Sequence, residues 1–285
     1  VLRYAEEEFA PKKIAVVGTC VSMIIGEDME AAIESSGIST PAIAVNIHAG
    51  FRENIDGVIA ALEPAAAAGW ISSEELERQR HVLAAANATE RARGAACKTY
   101  ISPSRGDLKH VAATELLSLA RSGKRGLAIM NAKKETAYMF ADELLALHDT
   151  VPDADITYVA NLEGRGLPKV RGDAAAILAE MRERGVDPVL CGALDEYGEN
   201  GSAIAEIIAE THPDFVLLVG VPHAVIPEAL QGITVFSVTN GPRQVAPLKE
   251  QGHAYVMVEI DLHPKTLGVH EIVESEFGAV LRSVA

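Results

Sequence analysis

Eight short apolar runs recur along the chain, with segments of helical pattern between most of them, and this alternation is the strongest constraint on the fold. The runs are KKIAVVG (12–18), PAIAVNI (41–47), GLAIMN (126–131), DITYVANL (155–162), DPVLCG (187–192), DFVLLVG (214–220), GITVFSVTN (232–240) and HAYVMVEIDL (253–262). A strand with one wet face alternates apolar and polar residues. These runs are continuously apolar, which predicts strands covered on both faces, hence parallel sheets flanked by helices. The chain is therefore expected to be α/β, built from Rossmann-like lobes. A stretch without convincing strands, residues 51–123, is expected to be a helical insertion. Within it SEELERQRHVLAAANATERAR, opened by Ser73, and the segment from Ser104 to Arg121 both read as helices. The GKRG at 123–126 marks a boundary, so lobes are expected over 1–124, 125–212 and 213–285. The last lobe is expected to close with an amphipathic helix over KTLGVHEIVESEFGAVLRSVA, beginning at Lys265.

The chain has 285 residues, enough for a sizeable buried core. No apolar run approaches the roughly 20 residues of a membrane span, and no secretory signal pattern is seen. With 40 acidic and 25 basic side chains the net charge is -15, which argues against nucleic acid as the main partner. An anionic small molecule is still compatible, because a pocket can be locally basic on an acidic protein. The three cysteines, Cys20, Cys97 and Cys191, are far apart and odd in number, so a reducing cytoplasm is expected rather than a disulfide framework.

In open parallel sheets, ligands bind beyond the carboxyl ends of the strands. The exits carry Cys20 after the first strand, His48 after the second, Lys133 and Lys134 after GLAIMN, His223 after DFVLLVG, Arg243 after GITVFSVTN, and His263 with Lys265 after the last. Taken singly, each has an ordinary explanation. A lone histidine more often serves as a loop hydrogen-bonder, and a cysteine at a strand end is usually core, the reading preferred for Cys97 and Cys191. Lys133 and Lys134 could simply begin a helix, although two cations there oppose its dipole. The functional reading gains from convergence of several titratable groups on one sheet edge. No P-loop, dinucleotide G-x-G-x-x-G, C-x-x-C, H-E-x-x-H or G-x-S-x-G is present, so hard chemistry would need a cofactor these motifs do not announce.

The opening segment, Cys20 followed by Ile25-Gly26-Glu27-Asp28, resembles the cluster-proximal segment of nitrogenase component 1 subunits. Along nearly the whole chain, VNIHAGFREN, SPSRGDLKH, GLAIMNAKKETAYMFAD, GLPKVRGDA, VTNGPRQVAPLKE and EIDLHPKTLGVHEIVESEFGAVLR resemble one family. It is the catalytic subunit of Ni-sirohydrochlorin a,c-diamide reductive cyclase, a nitrogenase-like protein of methanogenic archaea. The resemblance implies a nitrogenase component 1-like fold, with 1–124 as the cluster-proximal lobe. It implies reduction of a nickel tetrapyrrole and closure of a lactam ring on it, in biosynthesis of the nickel coenzyme of methanogenesis (coenzyme F-430). Electrons would come from a separate ATP-hydrolysing iron–sulfur protein, and the chain would be a homodimer.

By the same resemblance Cys20 is a ligand of a [4Fe–4S] cluster, with Glu27 and Asp28 capping the following helix or facing the partner. The family has further cysteines upstream of this first strand. The sequence, which begins at Val1, is expected to lack that segment, leaving the cluster incomplete or absent here. His48, His223 and His263 are candidate proton donors, since a histidine pKa lies near operating pH. Lys133, Lys134, Arg243 and Lys265 are candidates to bind the macrocycle's peripheral carboxylates. The other readings are a non-catalytic nitrogenase-like scaffold that holds a tetrapyrrole or cluster, and a generic α/β protein that binds a small anion.

Overall fold

A computed structural model describes residues 1–47, 51, 53–94, 101–259 and 268–284. All eight expected strands form, and every strand pairing is parallel. The chain divides into two compact units, Val1–Ala84 and Ala85–Ala285.

The first unit holds α1 (Leu2–Phe9), β1 (Ile14–Gly18), α2 (Cys20–Ile24), α3 (Met29–Ser36), β2 (Ala42–Asn46), α4 (Asn54–Ala67) and the start of α5 (Ser73–Ala92). β1 and β2 pair in register from Ile14↔Ala42 to Gly18↔Asn46. Local chemistry sets the helix ends. The Asp28 carboxylate accepts from the Ala31 N–H at 2.9 Å and starts α3, and the Ser72 hydroxyl accepts from the Glu75 N–H at 3.1 Å and starts α5. Glu6 of α1 accepts from the backbone and side chains of Ser39 and Thr40. Those bonds, led by the Thr40 hydroxyl, hold its carboxyl down to about 2.

The second unit carries the end of α5, α6 (Lys109–Arg121), β3 (Gly126–Asn131), α7 (Ala137–Thr150), β4 (Ile156–Ala160), α8 (Pro168–Glu183), β5 (Val189–Leu190), α9 (Tyr197–Thr211), β6 (Phe215–Gly220), β7 (Thr234–Thr239), α10 (Val245–Glu250), β8 (Tyr255–Val258) and α11 (Glu276–Ser283). The strand order is β5-β4-β3-β6-β7-β8. Strands from 125–212 and from 213–285 thus join one sheet, in the order of a Rossmann-like doubly wound fold. Every residue of β3 and of β6 is buried. Ala128 and Met130 of β3 pack with Leu116, Phe140, Leu144 and Phe277, whereas Leu127 and Ile129 pack with Ile204 and Ile208 of α9. This two-sided cover is why the runs are continuously apolar rather than alternating. Each fully buried Leu or Phe contributes about 1.5–3 kcal/mol.

Two helices are shorter than the sequence predicts. Residues 104–108 do not belong to α6. They run beside β8, where Gly106 bridges Met257 in antiparallel sense. Gly106 has φ +74°, and a Cβ on it would strike the Val256 carbonyl oxygen. The predicted closing helix is confined to α11. Ser275 starts it, its hydroxyl accepting from the Gly278 N–H at 2.9 Å, and residues 268–275 are irregular, with Gly268 at φ +73°. Residues 265–267 lie outside the described residues.

Candidate functional site

The site is built at the carboxyl edge of the large sheet, where β3 lies between β4 and β6 and the chain direction of winding reverses. Three asparagines brace this edge. Asn161, just past β4, donates to the carbonyls of Ala132 (2.9 Å) and Ala193 (3.1 Å) and accepts from the Ala132 N–H (3.0 Å). Asn200 donates to the Asn131 side-chain oxygen (3.0 Å) and to Ala193 (3.2 Å), and Asn131 donates to the Tyr197 carbonyl (3.2 Å). Gly220 closes β6 so tightly against β3 that a Cβ, also opposed by its φ of +99°, would meet the Asn131 backbone. The loops after β3, β5 and β6 are thereby held as one rigid support.

On that support four titratable side chains gather. The Glu90 carboxylate lies 3.2 Å from His223 Nε2, accepts from the Tyr197 hydroxyl at 3.3 Å, and lies 3.9 Å from Lys133 Nζ. The Lys133 ammonium also sits 4.9 Å from the centre of the Tyr197 ring. Burial opposes charge on Glu90. The His223 hydrogen bond and charge, then Lys133 and Tyr197, outweigh it and hold the carboxyl below its ordinary range. Tyr197 is pushed up by burial and then by Glu90. His223 is enclosed, its side chain 3% exposed against 23% for Glu90, so Glu90 is the outer member of the pair. Arg93 donates to the carbonyls of His223 (2.8 Å) and Ala224 (3.2 Å), fixing the turn that carries the imidazole.

A second polar group adjoins on the β4 side. The Lys134 N–H donates to Asp195 at 2.8 Å, and Lys134 Nζ lies 3.9 Å from Asp173, which also accepts from Lys169 (2.6 Å) and Tyr138 (3.3 Å). Asp195, at φ +66°, is raised by burial above the ordinary carboxylate value. Lys133 and Lys134 precede α7, which begins at Ala137. Arg243, beyond β7, is exposed, and no ion pair holds it among the described residues.

The structure therefore brings Lys133 and His223 into one cluster and puts Lys134 and Arg243 on the same sheet edge. His48, His263 and Lys265 lie outside the described residues, as does Cys97. Cys20 is in the first unit, half-buried as the first residue of α2. Cys191 is buried, and burial, with Glu163, pushes its thiol up to about 12, as a core residue should behave. Among the described residues no three histidine, cysteine, aspartate or glutamate side chains form a metal-holding group. Nor is any helix long and apolar enough to cross a membrane.

Sequence reading missed Glu90 and Tyr197. Glu90 sits in the polar pattern NATERAR near the end of α5, where a carboxylate looks like a solvated helix face. Tyr197 had a weak signal, since it follows the DPVLCG run at a strand exit.

The chain is 49% identical to component CfbD of the Ni-sirohydrochlorin a,c-diamide reductive cyclase complex of Methanosarcina acetivorans, an alignment covering 100% of this chain and 79% of that protein. It is 45% identical to the component of that name from Methanothermobacter thermautotrophicus, over 99% of this chain and 79% of the relative. It is 37% identical to that from Methanocaldococcus jannaschii, over 98% and 78%. No family profile and no solved structure matches the chain.

Proposed function

The chain belongs to the family of component CfbD of the Ni-sirohydrochlorin a,c-diamide reductive cyclase complex, and from that membership we propose that it is the catalytic, nitrogenase-like component, which binds the nickel tetrapyrrole during its reduction and cyclisation. The product is a precursor of the nickel coenzyme of methanogenesis, made in the cytoplasm. The observation that carries the proposal is the gathering of Lys133, Glu90, Tyr197 and buried His223 where β3 meets β6, with Lys134 and Arg243 on the same edge.

In this reading Lys133, Lys134 and Arg243 bind the macrocycle's peripheral carboxylates, and Lys265 adds a further cation. Arginine suits a bidentate grip on a carboxylate, and lysine supplies a movable point charge. His223 holds a proton and passes it outward through Glu90, the more exposed of the two. His48 and His263 are further proton donors. A proton reserve at this edge suits a reduction in which electrons arrive one at a time and each added charge needs neutralising.

A separate ATP-dependent iron–sulfur reductase delivers those electrons. Cys20 is one thiolate ligand of a [4Fe–4S] cluster, and a cluster of that type takes four. The described residues place a single cysteine thiol there, so they do not by themselves fit a whole cluster. The exposed side chains of Val17, Val21, Ile24 and Ile25 flank Cys20 in the chain and support a protein contact there, assigned to a second copy in a homodimer.

The test combines the full-length protein with its reductase, ATP and the nickel tetrapyrrole, anaerobically, and follows the product by absorption. Turnover that falls at least tenfold in His223→Phe supports the proposal. Tight tetrapyrrole binding without turnover would make the chain a scaffold instead. Iron content and the reduced-state EPR signal, compared with Cys20→Ser, test the ligand separately. An unchanged signal removes Cys20 from the cluster.

A further inference from the structure

We propose that Arg105 is a second carboxylate-binding residue beside Arg243, the two guanidinium groups forming a clamp for neighbouring carboxylates on the rim of an anionic macrocycle. The proposal rests on the reading above, that this sheet edge takes a carboxylated tetrapyrrole, and adds to it a residue and a mode of grip.

The two arginines are 138 positions apart in sequence and adjacent in the fold. The Ser104 N–H donates to the Pro242 carbonyl at 2.9 Å, so Arg105 and Arg243 each follow directly on one partner of a single hydrogen bond. Gly106 faces Met257 of β8 in antiparallel sense. Arg105 therefore lies one step further toward the carboxyl end of β8, the edge that also carries Arg243 and Lys133.

The loop that carries Arg105 is held rigidly. The Asp107 N–H donates to the Val256 carbonyl at 2.7 Å, and the Asp107 carboxylate accepts from the Val256 N–H at 2.8 Å. Lys249 of α10 closes on the same carboxylate at 2.8 Å. The Ser104 hydroxyl accepts from the Gly106 N–H at 3.2 Å. Gly106 supplies a left-handed residue at a point where the backbone touches β8 and no Cβ fits. Two backbone-level bonds, an ion pair and a glycine contact are a large investment for a five-residue connection. Their effect is to fix the backbone from which Arg105 projects at the ligand edge, and a rigid backbone there improves binding by reducing the entropy lost.

Charge sharpens the point. In a chain of net charge -15, many guanidiniums find carboxylates, although among the described residues exposed Arg121 and Arg171 do not. Arg165 meets Glu196 at 2.9 Å, Arg182 meets Asp187 at 2.7 Å, and Arg282 meets Asp142 at 2.7 Å. Arg105 and Arg243 are both exposed, and among the described residues no carboxylate pairs with either. Two cationic side chains borne on adjoining backbone segments favour an arriving pair of carboxylates, which can accept bidentate hydrogen bonds from both.

The experiment is a titration of the full-length protein with the nickel tetrapyrrole, followed by absorption at two salt concentrations. The chains compared are the unchanged protein, Arg105→Ala, Arg105→Lys, Arg243→Ala, the double alanine variant, and Arg121→Ala, an exposed arginine at the end of α6. Arg105→Ala is expected to weaken binding about tenfold, like Arg243→Ala, and to flatten the salt dependence. Arg105→Lys should recover part of the loss, since charge remains and the fork does not. The double variant should lose less than the two single losses combined, because each alanine already breaks the clamp. If Arg105→Ala matches Arg121→Ala while Arg243→Ala weakens binding, the clamp is wrong and the substrate reading stands. If the unchanged protein does not bind the tetrapyrrole, both fail.

Discussion

Glu90 Oε1 and His223 Nε2 lie 3.2 Å apart although 133 positions separate them in the chain. The carboxylate also receives the Tyr197 hydroxyl, so its removal leaves a phenol and an imidazole short of a partner in a mostly enclosed place. Glu90→Ala is expected to cost about 1–3 kcal/mol, read as a shift in the urea midpoint, and Glu90→Gln less, because the amide oxygen still accepts. The folded carboxyl sits below its ordinary value of 4.5, so its contribution is complete above that value. It is lost as pH falls through the lowered value. A midpoint that does not move in Glu90→Ala would remove Glu90 from the centre of the cluster.

His253 provides a second pH dependence. Its Nδ1 lies 2.6 Å from the Ser237 hydroxyl, and burial, with His223 nearby, pushes its pKa down to about 4 from 6.5. Between those values the unfolded chain binds more protons than the folded one, so stability rises with pH across that window. The rise amounts to about 3 kcal/mol. Denaturant titrations at pH 4.5 and pH 7 should show the slope in the unchanged protein and a shallower one in His253→Gln.

Glu143 of α7 works in the opposite direction. It is fully buried, and burial, then Glu259 and Asp142, drive its carboxyl well above 4.5, with Lys109 opposing weakly. The carboxylates around it anchor α11. Glu259 accepts from the N–H groups of Glu276 (3.0 Å) and Phe277 (2.8 Å), and Asp142 accepts from Ser275 and pairs with Arg282. The folded chain keeps a proton on Glu143 that the unfolded chain releases above 4.5, so this group costs stability as pH rises. Glu143→Gln, always neutral, should lose that cost and be the more stable chain at pH 8. Equal stability at pH 8 would mean that the fold does not raise the Glu143 carboxyl.

Gly106→Ala tests the connection beside β8. The left-handed φ and the approach of the Val256 carbonyl both oppose a methyl group. A loss of about 2 kcal/mol is expected in thermal or urea unfolding, since the left-handed conformation alone costs roughly 1–2 kcal/mol. Tetrapyrrole affinity should fall with it, toward that of Arg105→Ala.

The eight strands were legible in the sequence, and for β3 and β6 so was their cover on both faces; β1, where Val17 is exposed, and β5, where both residues are exposed, lack that expected cover. Each of the eight runs carries its own local signal, continuous apolar character over four to eight residues, and a run buried on both faces needs no distant partner to be recognised. Fold class, the helical character of 53–94 and the strand-exit positions of Lys133, Lys134, His223 and Arg243 follow from that. Tertiary structure decided everything that depends on non-local pairing. Residues 104–108 have a tolerable helical pattern, yet Asp107 gains two hydrogen bonds from Val256, and Gly106 lets the backbones touch, so the segment joins β8 instead of α6. Glu90 has the look of a solvated helix residue until β6 carries His223 to it. The order β5-β4-β3-β6-β7-β8, which makes the junction of β3 and β6 the place where ligand-binding loops meet, is set by which strands pack side by side. Hydrogen bonds and charge pairs act over about 3–4 Å, and only folding brings residues 133 positions apart within that reach.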